Sequence, residues 1–180
     1  MHEHRFHGDL ARLRSPERLS WLEVERVVRL STATGGIHSV LDVGTGTGVF
    51  AEAFAAAGLA VEGLDANPDM LAAAREQVPA VPFREGIAES LPYPPASFDL
   101  VFMGLLFHET DDHLLAIREA ARVARTRVAI LEWPYQLQEI GPGLDERLTE
   151  QQITSFASQA GLVAKDIVHL KALVLYLFDK

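Results

Sequence analysis

The sequence predicts a doubly wound α/β domain, in which a mainly parallel seven-stranded sheet carries helices on both faces. Two observations predict it: from Val40 onward short apolar segments alternate with helical segments, and a glycine-rich turn directly follows the first apolar segment. Such alternation is typical of βαβ units, which bury a parallel sheet between two helical layers. A length of 180 residues fits one domain of this kind. We therefore expect a Rossmann-like fold.

Local signals place the elements. Ser15 and Pro16 can cap and open a helix that runs to about residue 30. The predicted strands cover residues 40–43, 59–64, 81–87, 97–104, 127–133, 163–170 and 172–178. Further helices are predicted over residues 49–57, 68–78, 110–125 and 150–160. Ligands of such sheets bind beyond the carboxyl ends of the strands, so the segments that follow the strands are the candidate site.

The composition excludes several classes of function. The 16 basic and 25 acidic residues give a net charge of −9, which disfavours nucleic acid and anionic membranes as partners. The absence of cysteine excludes disulfides, thiolate nucleophiles and cysteine-ligated metal sites, and we predict no metal site. The apolar runs fall short of the roughly 20 residues of a membrane span, and the N-terminus lacks the pattern of a secretory signal. We expect a cytoplasmic protein, and the composition leaves its oligomeric state open.

The glycine-rich turn Gly44–Gly48 is the first candidate for ligand binding. Glycine lets a ligand lie against the backbone, and the following helix offers unpaired N–H groups. A dinucleotide loop requires G-x-G-x-x-G, whereas the residue three positions after Gly46 is Val49. Asp65 ends the next strand, and its carboxylate can accept two hydrogen bonds from a ribose diol. The pattern indicates a nucleotide-like ligand other than a dinucleotide; a structural turn with a capping aspartate is the alternative.

Three segments carry a resemblance to a known family. Residues 40–48 (VLDVGTGTG), 63–71 (GLDANPDML) and 85–101 (EGIAESLPY followed by SFDLV) resemble motifs of class I S-adenosylmethionine-dependent methyltransferases. The similarity is to their small-molecule branch, which includes the methyltransferases of ubiquinone and menaquinone synthesis. It covers residues 40–133 well, and residues 15–18 more weakly. It implies S-adenosylmethionine as cofactor, S-adenosylhomocysteine as product, and a small-molecule acceptor.

The resemblance also implies roles for individual residues. Asp42 orients the glycine-rich turn and the amino group of the cofactor, and Asp65 holds its ribose hydroxyls. The remaining cofactor-binding residues that the resemblance implies are Gly44, Thr45, Gly46 and Gly48 at the methionine part, Met103 and Gly104 below the sulfonium, and Ala66, Asn67, Ala88 and Glu89 around the adenine. One position departs from the family, since Ile87 stands where an aspartate is common. A backbone carbonyl or Glu89 must then accept the hydrogen bond of the adenine amino group.

We expect one domain over residues 1–180. Its predicted parts are a flexible arm over 1–14, an N-terminal helix and loop over 15–38, a cofactor-binding core over 40–133, and a substrate loop with the last helix and the final two strands over 134–180. Within the last part, residues 136–147 fit either a mobile substrate lid or a plain connection.

Four residues are candidates for the acceptor side of the site. His108 and Glu109 follow the fourth strand, and Glu132 and Tyr135 follow the fifth, so all four lie at the ligand edge of the sheet. His108 titrates near neutral pH and can act as a general base, or it can only position its neighbours. Methyl transfer requires the nucleophile to be held about 3 Å from the methyl group and in line with it, and no nucleophilic side chain is needed.

The sequence therefore predicts an S-adenosylmethionine-dependent methyltransferase acting on a small molecule. A non-catalytic module that binds S-adenosylmethionine or S-adenosylhomocysteine is the first alternative, because no single residue is an unambiguous base. An NAD-dependent oxidoreductase is the second, and the glycine spacing disfavours it.

Overall fold

The computed structural model describes residues 10–33 and 35–180. Seven strands form one sheet in the order β3-β2-β1-β4-β5-β7-β6. The strands are β1 (Ser39–Val43), β2 (Ala60–Asp65), β3 (Phe83–Glu85), β4 (Phe98–Gly104), β5 (Ala124–Glu132), β6 (Val163–His169) and β7 (Val174–Asp179). The first five strands are parallel, whereas β7 runs antiparallel to both β5 and β6. The predicted mainly parallel sheet is confirmed.

Helices cover both faces of this sheet. The α-helices are α1 (Pro16–Leu22), α2 (Val24–Ser31), α3 (Val49–Ala56), α4 (Pro68–Gln77), α5 (His113–Val123) and α6 (Glu150–Gln159). Alternate residues of β1 face opposite layers: Val40 packs in the cluster that contains Phe54 of α3, and Leu41 packs in the cluster that contains Ile117 of α5. This period of two is the geometry of a strand that is buried on both faces. No helix within the described ranges is long and apolar enough to cross a membrane.

The prediction of a single N-terminal helix is wrong, because the structure has two helices there, α1 and α2. Glu23 separates them in the left-handed region, with φ 48° and ψ 42°. Its carboxylate accepts hydrogen bonds from the backbone N–H of Lys171 at 2.7 Å and from the guanidinium of Arg26 at 2.9 Å. Just before the break, the Trp21 ring packs against Trp133 with centroids 5.3 Å apart. These long-range contacts hold a kink that local helix signals do not predict.

Several other boundaries differ from the sequence prediction; for example, β5 begins at Ala124 instead of residue 127. Residues 1–9 of the predicted arm lie outside the described residues, but Leu10–Arg14 form a short 3-10 helix. The Arg14 guanidinium donates to the Thr47 carbonyl at 2.8 Å and to Glu52 at 2.7 Å, which anchors this segment on α3. β3 is shorter than predicted. α5 begins after Asp112, whose side chain accepts from the N–H three residues on and so caps the helix.

A buried carboxylate joins β1 to β4 at the end of the sheet away from the ligand edge. Asp99 accepts hydrogen bonds from the N–H groups of His38 and Ser39 and from the Ser39 hydroxyl, each at 3.0 Å. The Arg125 guanidinium bonds to the same carboxylate. Burial alone would raise the pKa of Asp99, but these donors lower it below its ordinary value. The folded state therefore favours the ionised form.

We expect Asp99→Ala to lower the free energy of unfolding by about 3 kcal/mol, because hydrogen bonds to a charged group contribute about 1.5–3 kcal/mol. Urea denaturation measures the change, with the exposed Asp166→Ala as the matched control. Because folding lowers the pKa of Asp99, its ionised carboxylate stabilises the folded state at pH values above the ordinary pKa of the group. This stabilisation disappears as the pH falls below that ordinary pKa. A loss under about 0.5 kcal/mol, typical of an ordinary surface site, would contradict this role.

Candidate active site

A cleft of about 170 Å³ opens at the carboxyl ends of β1, β2 and β4. This is where the fold class places its ligands. The residues that line it are Leu13, Arg18, Val43, Gly44, Gly46, Leu64, Asp65, Ala66, Asn67, Met70, Gly86, Ile87, Ala88, Glu89, Gly104, Leu105, Leu106, Glu109 and Thr110. Polar atoms gather where β1 and β2 end, and apolar side chains form the remaining wall.

The glycine loop, Gly44–Gly48, satisfies most of its own backbone. Its three glycines all have positive φ, from 54° to 80°. The N–H groups of Gly44 and Thr45 both donate to the Leu64 carbonyl, at 2.7 and 3.0 Å, and that of Gly48 donates to the Thr45 carbonyl at 2.9 Å. With these N–H groups spent on its own protein, the loop has fewer donors to offer a pyrophosphate than a dinucleotide loop uses. The geometry therefore favours a ligand without phosphate.

The Asp65 side chain accepts a hydrogen bond from a fourth N–H group of this loop, that of Gly46. One carboxylate oxygen accepts from the N–H of Gly46 at 2.8 Å, and the other accepts from the N–H of Asn67 at 2.9 Å. Asn67 in turn caps α4 by accepting from the Asp69 N–H at 2.9 Å. A carboxylate has about four acceptor positions, so these two bonds orient it and still leave it able to accept from a diol. The side chain lines the cleft at the position predicted for it.

Asp42 lies behind the glycine loop rather than on the cleft wall. It is 2% exposed, and its carboxyl group accepts from the Thr45 hydroxyl at 2.7 Å and from the backbone N–H of Ala51 in α3. Burial raises its pKa to about 7, and the nearby charge of Asp65 adds to the rise. Asp42 thus ties the loop to the first turns of α3. Its contact with a ligand amino group stays a prediction.

Leu106 forms the apolar side of the cleft over the glycine loop. A Cβ atom on Gly44 would lie 2.8–2.9 Å from three atoms of the Leu106 side chain, so only glycine fits there. Leu105 adopts φ 56° just before it and donates its N–H to the Leu131 carbonyl at 2.8 Å. This strained residue turns the chain out of β4 and presents Leu106 to the cleft.

The far end of the cleft is apolar, with one acidic residue. Ile87, Ala88 and Met70 line it. Glu89 lines it too, but one of its oxygens accepts from the backbone N–H of Asp111 at 2.9 Å. That oxygen therefore holds the segment before α5. The flat adenine ring that the sequence predicts here would meet apolar side chains on its faces.

His108 and Glu132 form a buried pair next to the cleft. Nδ1 of His108 lies 2.9 and 3.0 Å from the two oxygens of Glu132, and the backbone N–H of Trp133 donates to the same carboxylate at 2.9 Å. Because a carboxylate only accepts, Nδ1 carries the proton and Nε2 is the acceptor of the neutral ring. Nε2 lies 3.8 Å from an oxygen of Glu109, which lines the cleft. Burial opposes the charged ring, but the carboxylates of Glu132, Glu109 and Glu146 together outweigh burial and raise the pKa of His108 above its usual value.

A single arginine organises the predicted substrate loop. The buried Arg147 lies over the Trp133 ring, 5.2 Å from its centroid. Its guanidinium donates to the carbonyls of Pro134, Gln136, Ile140 and Pro142 and to the side-chain oxygen of Gln138. Residues 134–147 therefore form a compact loop around one cation. Tyr135 projects from it, 52% exposed, into a separate surface depression.

The predicted site residues divide into two groups. Those that line the cleft are Gly44, Gly46, Asp65, Ala66, Asn67, Ala88, Glu89, Gly104 and Glu109. Those that the structure places behind or beside it are Asp42, Thr45, Gly48, Met103, His108, Glu132 and Tyr135. Leu13 and Arg18 lie outside every segment that the sequence predicted for the site, and Leu106 lies in the segment after β4 but was given no role. Only Arg18 had a signal, because it belongs to the N-terminal stretch with a weak family resemblance.

The raised pKa of Asp42 predicts a pH-dependent stability. A carboxyl group whose pKa is raised on folding favours the folded state below its ordinary pKa, and this contribution disappears as the pH rises to about 7. We expect the wild type to lose free energy of unfolding between about pH 4 and pH 7 relative to Asp42→Asn, which cannot ionise. Urea titrations at several pH values measure the difference. Parallel pH curves for the two proteins would contradict the prediction.

Comparison with known proteins identifies the family. Residues 41–131, half of the chain, match the model described as "Methyltransferase domain". The chain is 39% identical over 87 residues to demethylmenaquinone methyltransferase of Chlorobaculum parvum, covering 48% of this chain and 36% of that protein. It is 38% identical over 101 residues to malonyl-[acyl-carrier protein] O-methyltransferase of Pectobacterium atrosepticum, covering 56% and 40%. The chain thus spans less than half the length of these curated relatives.

The whole fold also has a solved counterpart. The crystal structure of a SAM-dependent methyltransferase from Aquifex aeolicus superposes with a TM-score of 0.85 at 25% identity, covering 94% of this chain and 96% of that one. The sheet order, the glycine loop after β1 and the acid that ends β2 agree with these matches. The chain belongs to the methyltransferase domain family.

Proposed function

We propose that this protein binds S-adenosylmethionine in the cleft and transfers its methyl group to a small molecule. The observation that carries the proposal is the glycine loop beside Asp65: the N–H groups of four of its five residues donate within the protein, while the Asp65 carboxylate is oriented at the cleft edge. This arrangement suits a nucleoside with a diol and without phosphate. The alternative of an NAD-dependent oxidoreductase requires a pyrophosphate site, and both the glycine spacing and the internal hydrogen bonds of the loop disfavour it.

The residues present fit the adenosyl group. Asp65 would accept from the ribose hydroxyls, the apolar end with Ile87 and Ala88 would cover the adenine, and Gly44 and Gly104 would admit the methionine part close to the backbone. A Cβ atom at either glycine would lie less than 3.0 Å from a neighbouring side chain, so both positions require a residue without a side chain. S-adenosylmethionine supplies an electrophilic methyl group on a positively charged sulfur. Asp42 and Asp65 give this region the negative charge that suits a cation.

A small-molecule acceptor is supported by the architecture of the described residues and by the relatives. All described elements belong to one sheet and its covering helices, with no separate domain for a macromolecular substrate among them. The relatives named above act on demethylmenaquinone and on a malonyl group carried by a protein, so the family covers acceptors of different chemistry. The net charge of −9 disfavours nucleic acid.

His108 is the residue that we assign to proton transfer. Glu132 holds Nδ1–H, which leaves Nε2 as the proton acceptor on the side of the cleft-lining Glu109. A nucleophilic O–H or N–H of the acceptor must lose its proton as the new bond to carbon forms. His108 would take that proton at Nε2, and Glu132 would stabilise the resulting imidazolium.

The binding step is tested by calorimetric titration with S-adenosylmethionine, S-adenosylhomocysteine and NADH. We expect both adenosyl ligands to bind and NADH to fail. Asp65→Ala removes charged hydrogen bonds worth about 1.5–3 kcal/mol, so it should weaken both adenosyl ligands about 10- to 200-fold. Asp69→Ala, two positions beyond the cap, is the matched control because its side chain is exposed. Failure of both adenosyl ligands to bind the wild type would overturn the proposal.

The transfer step is tested with labelled donor and a panel of phenolic, quinol and amine acceptors. Transfer to at least one acceptor is the expected result. Tight binding of the donor without transfer to any of them would favour the non-catalytic module instead.

The assignment of His108 predicts a shifted pH profile. With an acceptor in hand, kcat/KM should rise with pH through the raised pKa of His108, because a base acts in its deprotonated form. Glu132→Gln removes the carboxylate that raises this pKa, so the rising limb should move to lower pH. His108→Gln should abolish the limb. Rates of His108→Gln equal to wild type at every pH would reject the base.

A further inference from the structure

A second cavity, of about 290 Å³, lies at the carboxyl end of β5 and shares no lining residue with the cleft. We call it the Tyr176 cavity. Its wall consists of residues 134–136 after β5, Glu150 at the start of α6, residues 169–174 around the turn from β6 to β7, and Tyr176 of β7. Apart from the exposed Tyr135, it contains residues to which the proposed function gives no part.

The Tyr176 hydroxyl lacks a partner in the described chain. Tyr176 is only 1% exposed, and its hydroxyl makes no hydrogen bond with any described residue. By contrast, the partly buried Tyr93 donates its hydroxyl to Glu62 at 2.6 Å. Buried tyrosine hydroxyls usually find a hydrogen-bond partner, so this one has the capacity to bind a ligand.

The surroundings of this hydroxyl are acidic. Burial raises the pKa of Tyr176, and the charges of Glu150 and Glu132 add to the rise. Because Glu150 itself lines the cavity, the hydroxyl end of the ring is the part that faces it. The capping box of Thr149 and Gln152 occupies two N–H groups at the start of α6 that would otherwise attract an anion. The floor of the cavity therefore favours a positive group.

The basic residues of the rim have neighbours of their own. The backbone N–H of Lys171 donates to Glu23 at 2.7 Å, and the ammonium charge of Lys171 acts on the same carboxylate. His169 is 69% exposed, with Nε2 3.5 Å from an oxygen of Glu150. The Tyr135 ring, 52% exposed, adds an aromatic face, which attracts cations.

We propose that the Tyr176 cavity binds a small organic ammonium ion. The ammonium group donates to the Tyr176 hydroxyl oxygen, the Glu150 carboxylate balances its charge, and the apolar body of the ligand packs against Leu173, Val174 and the Tyr135 ring. The ammonium group belongs either to the methyl acceptor or to a separate ligand. Only the first of these assignments rests on the proposed function.

The site is tested by chemical-shift titration in the absence of any adenosyl ligand. The probes are 2-phenylethylammonium, 2-phenylethanol and phenylacetate, which share a ring and differ in charge. We expect the ammonium ion to bind about 10-fold more tightly than the alcohol, and phenylacetate to bind most weakly. The largest shifts should fall on the N–H groups of residues 135–136, 150 and 173–176.

Two variants remove the polar groups of the site one at a time. Tyr176→Phe should weaken the ammonium ion about 10- to 100-fold, because it deletes a hydrogen bond to a charged group. Glu150→Gln should weaken it about 2- to 5-fold, as expected for a partly exposed ion pair. The matched controls are Tyr93→Phe, at another tyrosine hydroxyl, and Glu76→Gln, at an exposed acid of α4. Neither control should change the affinity.

A transfer assay distinguishes the two sources of the ammonium group. Labelled S-adenosylmethionine is offered with tyramine, which carries a phenol and an ammonium group, or with 4-ethylphenol, which lacks the ammonium group. In either transfer the methyl group joins the phenolic oxygen, S-adenosylhomocysteine leaves and the phenolic proton is released. A preference for tyramine that Tyr176→Phe removes assigns the cavity to the acceptor. Binding of 2-phenylethylammonium without this preference assigns it to a separate ligand.

Three results would overturn the site. They are an ammonium ion that binds no better than the alcohol, an affinity that Tyr176→Phe leaves unchanged, and a marked fall in the melting temperature of Tyr176→Phe. The last result would show that the hydroxyl has a structural role, whereas a hydroxyl without a partner can be removed at no cost. Failure of the adenosyl ligands to bind would overturn the proposed function and leave the ammonium titrations unaffected.

Discussion

The arrangement of the cleft depends on how the backbone between β1 and β2 is satisfied. The Leu64 carbonyl accepts two N–H groups of the glycine loop, and the Asp65 side chain accepts a third while also holding the N–H of Asn67. One strand end thus sets the shape of the loop beside it. Because these bonds use three N–H groups of the loop, the same interactions that stabilise the loop leave fewer donors for a phosphate.

Charge is distributed unevenly around this cleft. Asp42 lies beneath the glycine loop with a pKa of about 7, so its charge is sensitive to what binds above it. A cationic ligand near Asp42 and Asp65 would favour the ionised carboxylate, since an opposite charge lowers the pKa of an acid. Arg18 lines the same cleft and carries the opposite sign. The lining therefore presents charges of both signs, which suits a ligand that carries both a positive and a negative group.

Much of the cofactor side could be predicted from sequence because its signals are local. The turn after β1 needs glycine for positive φ, and Asn67 before Pro68 is a helix cap, so a few adjacent residues specify each feature. The kink at Glu23 could not be predicted, because its carboxylate bonds to Lys171, far away in the chain. The same holds for Leu106, whose role exists only because Gly44 from another strand end lies against it.

The acceptor side is less regular, and Trp133 connects its parts. The Trp133 ring contacts the Trp21 ring, and the Arg18 guanidinium lies over Trp21. The guanidinium of Arg147, which organises residues 134–147, lies over the Trp133 ring. Its backbone N–H donates to Glu132, the partner of His108.

A Cβ at Gly141 would lie 2.8 Å from the same indole, so the loop approaches it as closely as glycine allows. One buried aromatic residue thus links helix α1, the loop around Arg147 and the carboxylate that holds the proposed base. Because protein interiors are closely packed, a smaller side chain at position 133 would remove packing from all three elements at once.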